Sequence, residues 1–171
     1  PFFATLKAAN PQPNTELEYT SVFELLTAVL LSAQATDVGV NKATRRLFVL
    51  ANTPKKMLAL GQEQLEEQIK TIGLFRSKAR HLVALGQALV ERHGGGVPRT
   101  REALAELPGV GWKTAGVVVS EAFGVPAFAV DTHVGRLAIR LGLTRETAPR
   151  KVEGDLVKLW PPAHWSRMHQ L

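Results

Sequence analysis

An all-α fold is what this sequence predicts, and three observations predict it. Apolar residues recur at helical spacing along almost the whole chain, and nowhere does a stretch alternate apolar and polar residues as a half-buried strand does. Capping residues, prolines and glycines fall at the ends of those periodic segments. Residues 101–122, R-E-A-L-A-E-L-P-G-V-G-W-K-T-A-G-V-V-V-S-E-A, read as two helices joined by a very short turn at Pro108-Gly109-Val110-Gly111. No internal repeat or low-complexity tract complicates this reading.

Each element has its own warrant. Residues 2–9 form a short helix, ended by Asn10-Pro11-Gln12-Pro13 because proline cannot donate to the helical ladder. Thr20-Ser21 caps a helix over 22–34. Its near-continuous apolarity, with Leu25, Leu26, Val29 and Leu30 on one side, predicts burial all round. Residues 37–49 make the next helix, with Val38, Val40, Leu47 and Phe48 facing inward. Thr53-Pro54 opens a helix over 54–60, proline being suited to a first helical position. A further helix over 62–71 ends at Gly73, and a long one over 77–93 is closed by Gly94-Gly95-Gly96. After the hairpin pair, residues 125–130 are a short extended apolar stretch. Asp131 then caps a helix that carries Val134, Leu137, Ala138 and Leu141, and residues 149–160 add the last one.

Composition bounds the function. The chain has 171 residues, 21 Lys plus Arg against 15 Asp plus Glu, a formal charge of +6 and a pI near 10.0. Such a surface attracts polyanions with salt-sensitive, sequence-independent affinity. With 45% hydrophobic residues the chain builds an ordinary core, which excludes a disordered basic tail. Its length suits one domain or two small lobes. No stretch reaches the ~18 apolar residues of a membrane span and no signal peptide is visible. The expectation is a soluble protein without membrane contact, cytoplasmic, and nucleoid-associated in a prokaryote.

The chemistry concentrates at two places. Two glycines around Val110 let the backbone turn tightly and approach another molecule. Amides there and in the opening turn of the next helix form a donor surface suited to phosphate, which holds a nucleic-acid backbone without reading its sequence. Lys113 follows in that first turn, where the macrodipole disfavours a cation by roughly 0.3–1 kcal/mol. Two roles fit it: a phosphate contact, or an amine nucleophile that gains from the same field. The hairpin alone does not separate them. The second place is A-V-D-T-H-V-G-R-L at 129–137. Asp131 is a good N-cap there, and a carboxylate held by cap donors stays ionised and fixed in direction, as one that stabilises positive charge or accepts a proton requires.

These segments carry a resemblance. L-P-G-V-G-x-K-T-A followed by V-D-T-H is similar to the DNA glycosylases of the endonuclease III family. So are L-L-T-A-V-L-L-S-A-Q-A-T-D at 25–37, continuing to Asn41-Lys42-Ala43-Thr44, and I-K-T-I-G-L-F-R-S-K-A at 69–79. The likeness runs from about Asn10 to the last residue. It implies a helix-hairpin-helix DNA glycosylase fold: a six-helix bundle over 15–125, containing the hairpin pair at 101–122, and a second helical lobe from 1–14 with 126–171. The active site would lie in the cleft between them. It also implies a bifunctional base-excision-repair enzyme that acts as a monomer on double-stranded DNA, removes oxidised pyrimidines and cuts 3′ of the abasic site by β-elimination.

Carried over by position, Lys113 is the nucleophile that forms a Schiff base, and Asp131 is its partner carboxylate. Gln34 and Leu74 match the residues that enter the duplex where a base has left. Polar pairing by an amide and propping by an apolar wedge suit those tasks, although Gln34 also fits a helix end and Leu74 also fits a core. Gly73 before Leu74 favours a loop tip. Pro108, Gly109, Val110, Gly111 and Thr114 form the DNA-binding hairpin. His133 also falls on a family position, with a hydrogen-bonded tether of the loop as its simpler role. Arg136 and Arg140, one helical turn apart, fit phosphate contact or a solvated face equally.

The chain departs from the family pattern at three points. It contains no cysteine, whereas many members carry a 4Fe–4S cluster on a C-terminal four-cysteine loop. No ligand for that cluster lies in this chain, so the cluster is expected only with cysteines beyond Leu171. The end at H-W-S-R-M-H-Q-L leaves Trp165, Met168 and Leu171 as apolar surface, and the start lacks Met. Both predict a chain cut at its two ends. Trp112 replaces a polar or basic residue before the lysine. Gly116 stands where asparagine is common, and loosens the helix by about 1 kcal/mol relative to alanine. Three other readings stay open: a non-catalytic helix-hairpin-helix module that only holds DNA, an oxoguanine glycosylase, and an adenine glycosylase. The last needs an acid in the early helix, and residues 27–34 contain none.

Overall fold

The computed structural model describes residues 15–165. The helix expected at 2–9, the 1–14 part of the second lobe, and Met168 and Leu171 lie outside them. No strand occurs among the described residues. The helices are α1 (Val22–Ser32), α2 (Asp37–Leu50), α3 (Pro54–Ile69), α4 (Phe75–His93), α5 (Arg101–Ala105), α6 (Trp112–Phe123), α7 (Thr132–Arg140) and α8 (Pro149–Leu159), followed by a 3₁₀ turn at Pro162–His164. The chain divides into two compact units: residues 16–118, and a second unit that includes Val119 onward. The division falls inside α6, where the sequence reading puts it after residue 125.

In the first unit α1 is the central element. Ser21 Oγ accepts from the Glu24 amide at 3.1 Å, and the buried Glu24 carboxylate accepts from the Thr20 amide and hydroxyl at 2.6 and 2.7 Å. This reciprocal cap satisfies donors that a helix start otherwise leaves open. Every residue from Phe23 to Leu31 is buried, and each fully buried leucine contributes about 1.5–3 kcal/mol. The expected all-round burial therefore holds. The helix stops at Ser32, two residues earlier than expected, because Ala33 leaves helical space at ψ 115° and Gln34 follows at φ 57°.

α2 turns Val40 and Leu47 inward, but Val38 is 75% exposed. This corrects the expectation for Val38, which sits in the first turn on the opposite side of the helix from that stripe. Thr36 and Thr53 cap α2 and α3 by accepting from Gly39 and Lys56 amides at 3.2 and 3.3 Å. α3 is two helical runs broken at Gly61, where φ 76° and ψ 164° leave helical space. That break accounts for the two helices expected on either side of it. α3 packs along α4, which ends at left-handed Gly94.

The second unit has its own small core of Phe128, Val130, Ala138, Val152 and Leu156, against which Val134, Leu143, Val157, Trp160 and Trp165 pack. Trp165 Nε1 donates to the Trp160 carbonyl at 2.7 Å. The Thr144 hydroxyl donates to Asp155 at 2.7 Å and holds that carboxyl below its usual range. This core fixes α7 and α8, and with them the start of α7 at Asp131.

Candidate active site and nucleic-acid interface

The hairpin is built by local hydrogen bonds. Leu107 N donates to Leu104 O at 3.1 Å, Val110 N to Leu107 O at 3.0 Å and Ala115 N to Gly111 O at 2.9 Å. Leu107 and Val110 are buried and anchor the turn, while Gly109 and Gly111 are exposed. The two glycines differ in cause. Gly109 has φ 75°, and a Cβ there would stand 2.8 Å from His81 Cβ and 3.2 Å from Leu30 Cδ1. Gly109 thus seats the hairpin on α1 and α4. At Gly111 a Cβ would meet nothing within 4 Å, and its φ is not left-handed. The fold itself does not require glycine at Gly111, and the backbone there is open to close approach from outside the chain.

Lys113 is exposed in the first turn of α6, two residues after Gly111. Pro108 and Thr114 are half-buried beside it. Trp112 and Gly116 are explained together by Arg101 at the start of α5. The Arg101 guanidinium lies over the Trp112 ring at 4.2 Å from its centroid, and its Nε donates to the Trp112 carbonyl at 3.1 Å. A Cβ on Gly116 would stand 2.7–2.9 Å from that guanidinium. The arginine fills the volume that a side chain at Gly116 would need. The sequence reading does not single out Arg101; a glycine inside an otherwise good helix is the signal that could have found a neighbour needing the space.

Gln34 and Leu74 are both exposed, Leu74 at 62%. They are the non-glycine residues with left-handed backbone among those described, at φ 57° and 58°. Their loops adjoin, since a Cβ on Gly73 would lie 3.9 Å from the Gln34 carbonyl. Leu74 is therefore a solvent-facing apolar side chain on a loop tip and not a core residue. Left-handed backbone costs a non-glycine residue about 1–2 kcal/mol, and such strain clusters at functional positions.

In the second unit Asp131 is half-buried and caps α7, accepting from the Val134 amide at 2.8 Å. It lines a concavity of about 420 Å³ together with Val130, Ile139, Val152, Arg136 and Arg140. His133 is exposed, and its Nδ1 pairs with Arg136 Nη2 at 3.2 Å. Among the described residues no group of three His, Cys, Asp or Glu is arranged to hold a metal ion. With no cysteine in the chain, the residues present do not fit an iron–sulfur cluster. No helix of the described residues is long and apolar enough to cross a membrane.

Comparisons with known proteins place the chain in a family. Residues 27–162 match the profile described as HhH-GPD superfamily base excision DNA repair protein. The chain is 51% identical to Endonuclease III of Treponema pallidum (strain Nichols), covering 98% of this chain and 82% of that protein. It is 50% identical to Endonuclease III of Escherichia coli (strain K12), covering 96% and 81%. Among solved structures it is similar to "Structure of a Trapped Endonuclease III-DNA Covalent Intermediate: Estranged-Adenine Complex", with TM-score 0.93, 48% identity, and coverage of 98% of this chain and 79% of that one. A hairpin seated by Gly109, an exposed lysine behind it and half the residues shared over nearly the full length lead to one assignment: the chain belongs to the endonuclease III family of the HhH-GPD superfamily of base excision DNA repair proteins.

Proposed function

We propose that this base excision repair glycosylase with lyase activity uses Lys113 as its nucleophile and Asp131 as the carboxylate that serves it, on oxidised pyrimidines in duplex DNA. The observation that carries the reading is Lys113, exposed in the first turn of α6 two residues after the open position at Gly111. A phosphate held by the hairpin brings a flanking nucleotide next to that amine. The +6 charge supports binding to DNA through its backbone.

Asp131 accepts a proton from the Lys113 ammonium, and the free amine attacks C1′ of an extruded nucleotide. The bond from C1′ to the base breaks and its electron pair leaves with the base. The base anion takes one proton from Nζ, Asp131 passes the proton it accepted to O4′ as the C1′–O4′ bond breaks, and an imine forms between C1′ and Nζ. Loss of a C2′ proton then breaks the C3′–O bond and releases the 3′ phosphate, and water hydrolyses the imine to restore the amine. Gln34 and Leu74 occupy the gap left by the extruded base, and Pro108, Gly109, Val110, Gly111 and Thr114 hold the backbone. His133, paired with Arg136, acts as a tether near the start of α7. The enzyme works as a monomer, on cytoplasmic or nucleoid DNA. An iron–sulfur cluster in this protein requires cysteines beyond Leu171.

Borohydride trapping on a duplex with one abasic site tests the assignment. The protein is expected to leave a covalent adduct that Lys113→Ala abolishes. Absence of an adduct in both forms would identify a module that only holds DNA. Asp131→Asn is expected to keep DNA affinity and to slow single-turnover base removal by about 10²-fold or more; an unchanged rate removes Asp131 from the mechanism.

A further inference from the structure

Lys78 is a buried cation that the proposed mechanism does not use. It is 5% exposed and shares one face of α4 with Leu82, Leu85 and Leu89, all buried. Its Nζ donates to the Leu31 carbonyl at 2.9 Å, in the last turn of α1, where carbonyls lack helical partners and the dipole end is negative. Its own amide donates to the Leu74 carbonyl at 3.0 Å, the bond that begins α4. One residue therefore grips the chain just before Gln34 and just after Leu74.

Burial pushes the Lys78 ammonium below its usual pKa range, so its placement costs stability that a well-packed apolar side chain would not. A helix-face position with leucine neighbours would accept methionine at little cost. Stability alone does not call for a charge there. What the ammonium supplies is reach and direction: it ties the end of α1 to the start of α4, and so holds two strained, adjoining loops in one register.

We propose that Lys78 is a positioning residue that locks the Gln34 and Leu74 loops together, so that both side chains enter the duplex as one preformed wedge. This rests on the reading that Gln34 and Leu74 fill the gap left by the extruded base.

Strand cutting at an abasic site in a duplex needs the wedge, whereas cutting at an abasic site in a single strand uses Lys113 and Asp131 without it. The ratio of the two rates isolates the wedge. Lys78→Met is expected to lower duplex cutting by about tenfold or more while the single-strand rate stays within about twofold, with thermal stability equal to or above that of the unaltered protein. Leu74→Ala is expected to lower the same ratio, and the double variant to be no worse than the poorer single one. An unchanged ratio in folded Lys78→Met overturns the proposal, as does an equal fall in both rates. If the wedge reading itself is wrong, Leu74→Ala and Gln34→Ala leave the ratio unchanged, a pattern distinct from failure at Lys78 alone. Should Lys78→Met not fold, amide exchange in Lys78→Gln decides. Faster exchange confined to residues 32–36 and 73–77 supports the lock, and faster exchange spread over α2 and α3 overturns it.

Discussion

At the hairpin and at the two loops flanking α1 and α4, the backbone passes through the same left-handed region with different residues. Gly109 does so at φ 75°, whereas Gln34 and Leu74 do so at φ 57° and 58°. At Gly109 only the backbone is needed, and there is no room for a side chain beside His81 and Leu30. At Gln34 and Leu74 the chain retains a side chain, and retains it in solvent, although glycine would relieve the strain. Where local preference is obeyed, the position serves the fold. Where it is violated on the surface, the side chain serves something outside the fold.

Gly109→Ala is the sharpest attack on this contrast. A methyl group there meets His81 Cβ at 2.8 Å as well as unfavourable φ, and the expected loss is about 2–4 kcal/mol by denaturant unfolding. Leu74→Gly and Gln34→Gly are expected to leave stability unchanged or raise it by up to about 1 kcal/mol, while slowing duplex cutting. A clear loss of stability in both would show that their conformation is not strained. Gly111→Ala has the smallest effect on folding, within about 0.5 kcal/mol, yet is expected to weaken DNA binding. Equal stability losses at Gly109 and Gly111 would erase the distinction between them.

Much of the architecture was legible before any coordinates. Ser21, Thr53 and Asp131 announce helix starts because their oxygens satisfy open amides, and the helices read over 54–60 and 62–71 leave the break at Gly61 between them. The turn at 108–111 could be read from its glycines. What was not legible depends on distant partners. Val38 lies at a first-turn position where periodicity is weakest, and it proved exposed. The left-handed backbone at Gln34 and Leu74 contradicts residue preference, so no local rule finds it. Lys78 reads as a solvated lysine until its spacing from Leu82, Leu85 and Leu89 is noticed. Arg101 became meaningful only when its guanidinium was found over Trp112.

That stacked arginine constrains how this sequence can drift. Trp112 supplies the ring, Gly116 supplies the empty volume, and Arg101 needs both. Placing asparagine at Gly116 evicts the guanidinium while the tryptophan remains. Replacing Trp112 alone strips the guanidinium of its aromatic bed. The three positions are coupled: exchange at them is expected to succeed as a set and to fail one residue at a time.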